Sequence, residues 1–486
     1  MSKSRKIILV AAGGLAALLI LVATALLVFI DVNSYKPRLE AAASDALGMD
    51  VRIGGRVGIG LFPGLRVTLE DLHIRNRGAD LASAKQASLG IDLLPLLNRE
   101  IRIGKIALKR PRISIERDRD GRFNFEKPEG AKWTFPGLDL TKVSLADGTL
   151  LYEDKQSGGG FEAGDCDLDA SRLRLSGGEG LELLKNLAIA AQFTCREIRS
   201  KDVTVSHMKF SVDGKDRVFD LRPVTARVFG GQGSGSIRFD FSGPVPVYHV
   251  RYSLEKIRIE EFLKALSPKT VAEGSIDFSA NLSLQGQSAD EIRRTADGEV
   301  SLRGENLTLD GEDLDRKISQ FESSQNFSLV DAGALFLAGP AGLAATKGYS
   351  FASLFLPSPL GLVGRFQGSE SRSRIRTLVS DWKVEHGVAQ AEDVAMTTDE
   401  NRIALKGKLD FASEQFDGVI VAVIDAKGCA KVQQKIRGPF EQPVVEKPSV
   451  LASLAGPAIK LLKQARDFFP GGQCDVFYSG SVVPPK

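Results

Sequence analysis

The residues of this chain best suited to proton transfer or metal ligation are its four histidines, His73, His207, His249 and His386. All are isolated in sequence and most stand in alternating apolar–polar stretches, where a histidine is more often a surface or satisfied core residue than a base or ligand. Ser206-x-x-Lys209 has the letters of a serine–lysine nucleophile pair, but it sits in a β-like run instead of opening a helix. The run Gly230-Gly-Gln-Gly-Ser-Gly235 would cradle phosphate only at the start of a helix; a strand pattern follows it, so a hairpin turn is expected. Asp165, Asp167 and Asp169 match the first, third and fifth places of a calcium loop. Ala170 and Ser176 then stand where Gly and Glu are required. No catalytic residues, no metal site and no cofactor are expected, and the chain does not read as an enzyme.

Four cysteines remain, Cys166, Cys195, Cys429 and Cys474. None forms a CxxC, so zinc and dithiol redox chemistry are disfavoured. Pairing sequence neighbours gives Cys166–Cys195 and Cys429–Cys474 as two structural bridges, suited to an oxidising compartment.

The elements that must carry these residues are mostly short β-strands. Ser34 to Leu47 reads as a helix capped by Gly48, Ile259 to Leu266 as a short helix, and Asp313–Gln325 and Leu451–Phe469 as later ones. A brief helix is expected near Leu93–Leu97. Elsewhere period-two alternation dominates, as in Val67-Thr-Leu69, Leu72-His-Ile74, Ile101-Arg-Ile103, Ile106-Ala-Leu108 and Ile113-Ser-Ile115. Asp120-Gly121 then turns into Arg122–Phe125, and Cys474–Val482 reads as a last strand. Similar Gly-bounded strands recur at Gly235, Gly274, Gly298 and Gly407 with no fixed period, which suggests one sheet extended by similar hairpins. Such a sheet, with one apolar and one polar face, must cover the apolar face or bind something apolar on it.

Ile7 to Ile30 carries no charge and is long enough to cross a bilayer as a helix, preceded by Lys3, Arg5 and Lys6. Ala23-Thr-Ala25 has the form of a signal cleavage site, but the apolar run continues past it, which favours a retained anchor. The expected organisation is a cytoplasmic tip (1–6), a transmembrane anchor (7–30) and three β regions (31–130, 131–297 and 298–486). With 64 basic and 61 acidic residues, no bulk attraction to nucleic acid is indicated. Arg99 to Arg122 is locally basic, read either as a solvated sheet face or as a contact for anionic lipid headgroups.

Asp31-Val-Asn-Ser-Tyr-Lys-Pro-Arg-Leu39 after the apolar span resembles the opening of the AsmA family. Gly60–Gly64, Glu70–Ile74, Ile103–Ile106, Arg110–Ile113 and Asp120–Phe125 are similar to that family's first strands. Phe336–Pro340, Thr346–Gly348, Gly428-Cys429 and Cys474–Gly480 are similar to its C-terminal part. The resemblance implies an inner-membrane-anchored periplasmic protein of Gram-negative bacteria tied to outer-membrane assembly and lipid homeostasis. It also implies a mainly β fold with few short helices: a transmembrane helix, then an elongated, strongly curved antiparallel sheet forming a chorein-like groove. On that reading phospholipid is the partner. Its acyl chains would rest on Val67, Leu69, Ile101, Ile103, Ile106, Leu108, Ile113 and Ile115, with Ile237, Phe239, Ile276 and Phe278 further along. The alternative is a non-enzymatic assembly factor for outer-membrane proteins that acts through exposed strand edges.

Overall fold

The computed structural model describes residues 32–126, 138–175, 186–200, 203–266, 272–310, 372–440, 443–450 and 474–486, apart from scattered single positions, together with part of 313–319 and Phe336. The expected anchor (7–30) and the expected helix at 451–469 lie outside these residues. Among the described residues no helix is long and apolar enough to cross a membrane. The chain divides into two compact units, Met1–Lys201 and Asp202–Lys486, at a point inside the expected 131–297 region.

The first unit opens with a 3-10 turn at Val32–Tyr35 and helix α1 (Lys36–Leu47). Pro37 suits the first turn because its missing N–H would have no intrahelical partner there. Gly48 ends the helix in the left-handed conformation (φ 63°), donating its N–H to Ser44 O at 2.7 Å. Strands β1 (Asp50–Ile53), β2 (Val57–Gly60), β3 (Arg66–Asn76), β4 (Ala79–Ile91) and β5 (Ile103–Arg117) follow. After them come β6 (Leu138–Leu140), β7 (Lys142–Asp154), β8 (Gly159–Leu175) and β9 (Leu187–Ser200). Both β1 and β2 pair with β3, and the sheet continues through β4, β5, β7, β8 and β9.

One pairing departs from the antiparallel expectation: β5 and β7 run parallel. β7 therefore starts beside the start of β5, at the other end of the strand from where the connection begins. The connection's first residues are held at the end of β5, where buried Asn76 donates its side-chain amide to Asn124 O (2.8 Å) and Glu126 O (3.1 Å).

Several runs that read as separate short strands are single long strands. Val67–Leu69 and Leu72–Ile74 both belong to β3, and Ile106–Leu108 and Ile113–Ile115 both belong to β5. Between the halves stands an exposed residue with positive φ: Asp71 (55°) in β3, Arg110 (48°) in β5, Asp147 (54°) in β7 and Asp165 (53°) in β8; in β3, β5 and β7 the residue before it is exposed as well. A left-handed residue within a strand interrupts the pleat and bends it, as a bulge does. The break consumes one extra polar position, so apolar side chains keep to one face on both sides of it.

The second unit contains β10 (Thr204–Lys215), β11 (Val218–Val228), β12 (Gly231–Asp240) and β13 (Val247–Arg258), then α2 (Ile259–Leu266). It continues with β14 (Ala272–Gln285), α3 (Ala289–Arg294), β15 (Asp297–Asp310), β16 (Arg372–Glu385) and β17 (Val388–Thr397). The last strands are β18 (Arg402–Asp410), β19 (Gln415–Ile424), β20 (Ala430–Pro439), β21 (Val444–Val445) and β22 (Ser449–Val450). From β10 to β20 each strand pairs antiparallel with the next. The expected hairpin turn is present but takes in only the first glycine of the run. Phe229 and Gly230 turn the chain, while Gly231, Gly233 and Gly235 lie within β12. A Cβ at Gly233 or Gly235 would collide with the Tyr252 ring of β13, so that ring takes the space side chains would fill.

Residues 474–486 are not the expected strand: among them only Val476 makes a bridge, to Cys429. They lie as a strap over β16–β19, where Tyr478 and Val482 are buried with Val379, Ala395, Ala404, Ala422 and Ile424. Cys429 and Cys474 are bonded, and so are Cys166 and Cys195, which face each other on β8 and β9. The Arg402 guanidinium stands 5.6 Å from the Tyr478 ring centre and donates to Val482 O at 3.0 Å. Replacing Cys429 and Cys474 together by Ser opens a closure of 45 residues. The chain-entropy model gives a loss of about 4 kcal/mol, to be read from denaturant unfolding of the second unit.

The strap also carries a pH dependence. Burial pushes the Asp393 carboxyl up, but hydrogen bonds from Ser481 and the Tyr478 hydroxyl outweigh it and hold it below the ordinary carboxylate range. Burial, together with the bond to Asp393, raises the Tyr478 phenol. A depressed carboxyl contributes stability that is lost as pH falls through its folded value; a raised phenol contributes stability lost as pH rises through its own. Protection of the Val482 amide, which donates to Tyr478 Oη at 3.0 Å, is expected to hold between about pH 4 and about pH 10 and to fall on either side.

Candidate functional site: the apolar face of the first sheet

Residues paired across neighbouring strands share a face, so the register identifies what each face presents. One row runs Ile59, Val67, Leu89, Ile106, Val143, Ala170, Ala191 from β2 to β9. The next runs Val57, Leu69, Ala87, Leu108, Leu145, Leu168, Phe193. Beyond the break, Ile53, Leu72, Ala84 and Pro111 form a third row that Gly148, Cys166 and Cys195 continue. The fourth is Val51, Ile74, Ala82, Ile113, Leu150, Ala163, Ile198. The other face carries polar rows such as Thr68, Ser88, Ala107, Ser144, Asp169 and Gln192.

The alanines of the apolar rows are covered by their larger neighbours: Ala87 is 1% and Ala170 0% exposed. Val67, Leu69, Leu89, Ile106, Leu108, Val143 and Leu145 are only half-buried. Among the described residues both clusters of mutually packed, buried apolar side chains lie between Ile257 and Val482, in the second unit. Apart from the β1–β2 edge, where Val51, Ile53 and Val57 are buried beside α1, the first sheet therefore has an apolar face one side chain thick, with no buried apolar cluster over it among the described residues.

The expected site residues divide accordingly. Val67, Leu69, Ile106, Leu108 and Ile113 come together in these rows, and Ile115 stands beside Tyr152, which packs on Phe161. Ile103 begins β5 opposite Ile91 and is 37% exposed. Ile101 lies outside the described residues. Ile237 and Phe239 are half-buried on β12, where Phe239 meets Tyr248 edge-on at 5.9 Å. Ile276 is buried in the second unit's core cluster, which also contains Leu314, Ile318 and Phe336, and Phe278 packs partly against that cluster. Sequence reasoning missed Leu89, Val143, Leu145, Leu168 and Phe193. Their signal was present in Val143-Ser-Leu145 and Ile189-Ala-Ala191-Gln-Phe193, alternating runs that the register carries onto the same face.

The residues considered for chemistry do not assemble. His73 pairs with Asp71 at 3.1 Å, whereas His207, His249 and His386 are exposed at separate places. Asp165 pairs with Arg196, Asp169 with Lys142, and Asp167 accepts the Asp147 N–H. Among the described residues no group of His, Cys, Asp or Glu could hold a metal ion.

Such a sheet, polar on one side and uncovered on the other, defines a β protein built to carry an apolar surface. The family model described as the AsmA family matches residues 1–178 and again 179–347, and the chain belongs to that family. The match takes in the middle of the chain, which resembled the family only in its β character. No curated protein and no solved structure matches the chain.

Proposed function

We propose that the chain is anchored in the inner membrane by residues 7–30, with its bulk in the periplasm. There it binds phospholipid acyl chains along the apolar face of the first sheet, in support of lipid transport and outer-membrane lipid homeostasis. Binding rather than catalysis is its task. One observation carries this reading: four aligned apolar rows cross the sheet from β3 to β9 with no buried apolar cluster over them among the described residues. Soluble proteins seldom leave contiguous apolar patches of more than a few hundred Å² to water, so a bound apolar ligand explains the face. Membership of the AsmA family supports the same reading.

The test is mass spectrometry of lipids co-purified with the full chain, with a photo-crosslinker at Leu108 and a control at Ala107 on the opposite face. Phospholipid attached at Leu108 and not at Ala107 is the expected result. A lipid-free, folded chain silent at both positions would sink the reading and favour an assembly factor for outer-membrane proteins.

A further inference from the structure

We infer that the polar face of the first unit's sheet is a docking surface for an anionic phospholipid bilayer, centred on Arg66, Lys105, Lys109 and Arg112, with Lys85 and Arg110 beside them at the breaks in β4 and β5. All six are exposed. Among the described residues none has an acidic partner, which sets them apart from the cations around them. Arg75 is paired with Asp80, Lys142 with Asp169, Arg196 with Asp165 and Lys155 with Glu116. Asp165 and Asp169 of β8 are thus engaged already, while these six cations of β3, β4 and β5 are left with free charge.

The register shows how they are spread. Arg66 and Lys105 stand in one row across β3, β4 and β5, separated by Gly90, which carries no side chain. Lys109 stands in the row of Gln86 and Glu70, and Arg112 in the row of Ser83 and His73. Glu70 is two strands from Lys109, about 10 Å, near the screening length at physiological salt. Along β5 the cations extend over roughly 23 Å. This is a broad distribution on a sheet face, not a pocket; these rows hold no Phe, Tyr or Trp on which a base could stack, and their one imidazole, His73, is paired with Asp71. A plane of headgroup phosphates is the partner that such a distribution fits.

The inference rests on the anchor of the proposed function for its geometry. A span ending at Ile30 would leave only the 3-10 turn and α1 before β1, so this sheet would start close to the bilayer and dock as a tethered reaction. It concerns the face opposite the apolar rows, so lipid binding and docking are separable.

The full chain is reconstituted in nanodiscs of phosphatidylcholine, with or without phosphatidylglycerol, carrying a fluorophore on Ala146→Cys. Ala146 is exposed and lies opposite Lys109. A lipid bearing a headgroup nitroxide quenches the fluorophore only at short range. Quenching is expected to rise in the phosphatidylglycerol discs. In Lys105→Gln/Lys109→Gln the docking constant should fall roughly 25-fold, from about fivefold per cation. Lys431→Gln/Lys435→Gln, the same charge change at exposed positions of β20, should leave it unaltered. Equal quenching in both kinds of disc, equal loss in both double variants, or tighter binding of a short RNA than of anionic vesicles overturns the inference. Release of the chain by alkaline carbonate would refute the anchor alone, and flotation with phosphatidylglycerol vesicles would still judge the patch.

Discussion

Leu108→Asp is expected to purify as a folded chain with at least about tenfold less bound phospholipid than the parent, a loss of some 1.4 kcal/mol or more. Leu108 stands mid-sheet on β5, between Ala87 and Leu145 in one row. It is half-buried, so without lipid a carboxylate there remains in contact with water and disturbs little. With an acyl chain laid over it, the same carboxylate loses water and gains no partner, which costs several kcal/mol or forces the ligand away. Leu145→Asp on β7 should act alike, since it occupies the same row. Ser144→Asp, one residue away on the polar face, should leave the lipid load unchanged. Lipid mass spectrometry of the three variants, with circular dichroism to confirm folding, decides the matter. An unaltered load in Leu108→Asp would mean that another part of the chain covers this face.

The sequence showed which side chains are apolar and how they alternate, and that was enough to recognise sheet and several members of its apolar face. Val67, Leu69, Ile106 and Leu108 were identifiable because period two directs alternate residues to one side. The extent of each strand was not legible. Glu70-Asp71 and Lys109-Arg110 change the phase of the alternation, and a phase change looks the same whether the strand ends or continues through a left-handed residue. Asp120-Gly121 does turn the chain, and Phe123 bridges back to Arg117. Beyond that turn β7 joins β5 in parallel, a pairing that no local pattern signals. Ile276 and Ile106 sit in equally alternating strands, yet only Ile276 is buried, as part of a core cluster. That cluster includes Leu314, Ile318 and Phe336, distant in sequence. Periodicity says which face is apolar; what covers that face depends on segments elsewhere in the chain. The glycines of β12 misled for a related reason, because their small size serves the Tyr252 ring of the neighbouring strand and not a turn.

The contrast between a covered and an uncovered face also predicts where the chain is most easily destabilised. Trp382 on β16 is 1% exposed and among the largest fully buried side chains. It stands in the row of Ala280 and Val300. Its indole N–H donates to Ser380 Oγ at 2.7 Å, and that hydroxyl donates to Phe336 O at 2.6 Å, tying the strand to the residue above it. Trp382→Ala leaves a cavity in a core that has already closed, and about 3–5 kcal/mol of the second unit's stability should be lost. Ser380→Ala keeps the ring but orphans its buried N–H, for a smaller cost of about 1–3 kcal/mol. Lys383→Ala, exposed on the same strand, should stay within about 0.5 kcal/mol of the parent. Urea unfolding followed by circular dichroism gives these differences without relying on the indole that the first variant removes. In Leu108→Asp the second unit's transition should not move, and in Trp382→Ala the lipid crosslinked at Leu108 should persist below the lowered midpoint, because the apolar rows are built from β1 to β9 alone. Loss of that lipid at concentrations where Trp382→Ala is still folded would show that the rows need the second unit's core, and would refute their assignment as a self-sufficient site.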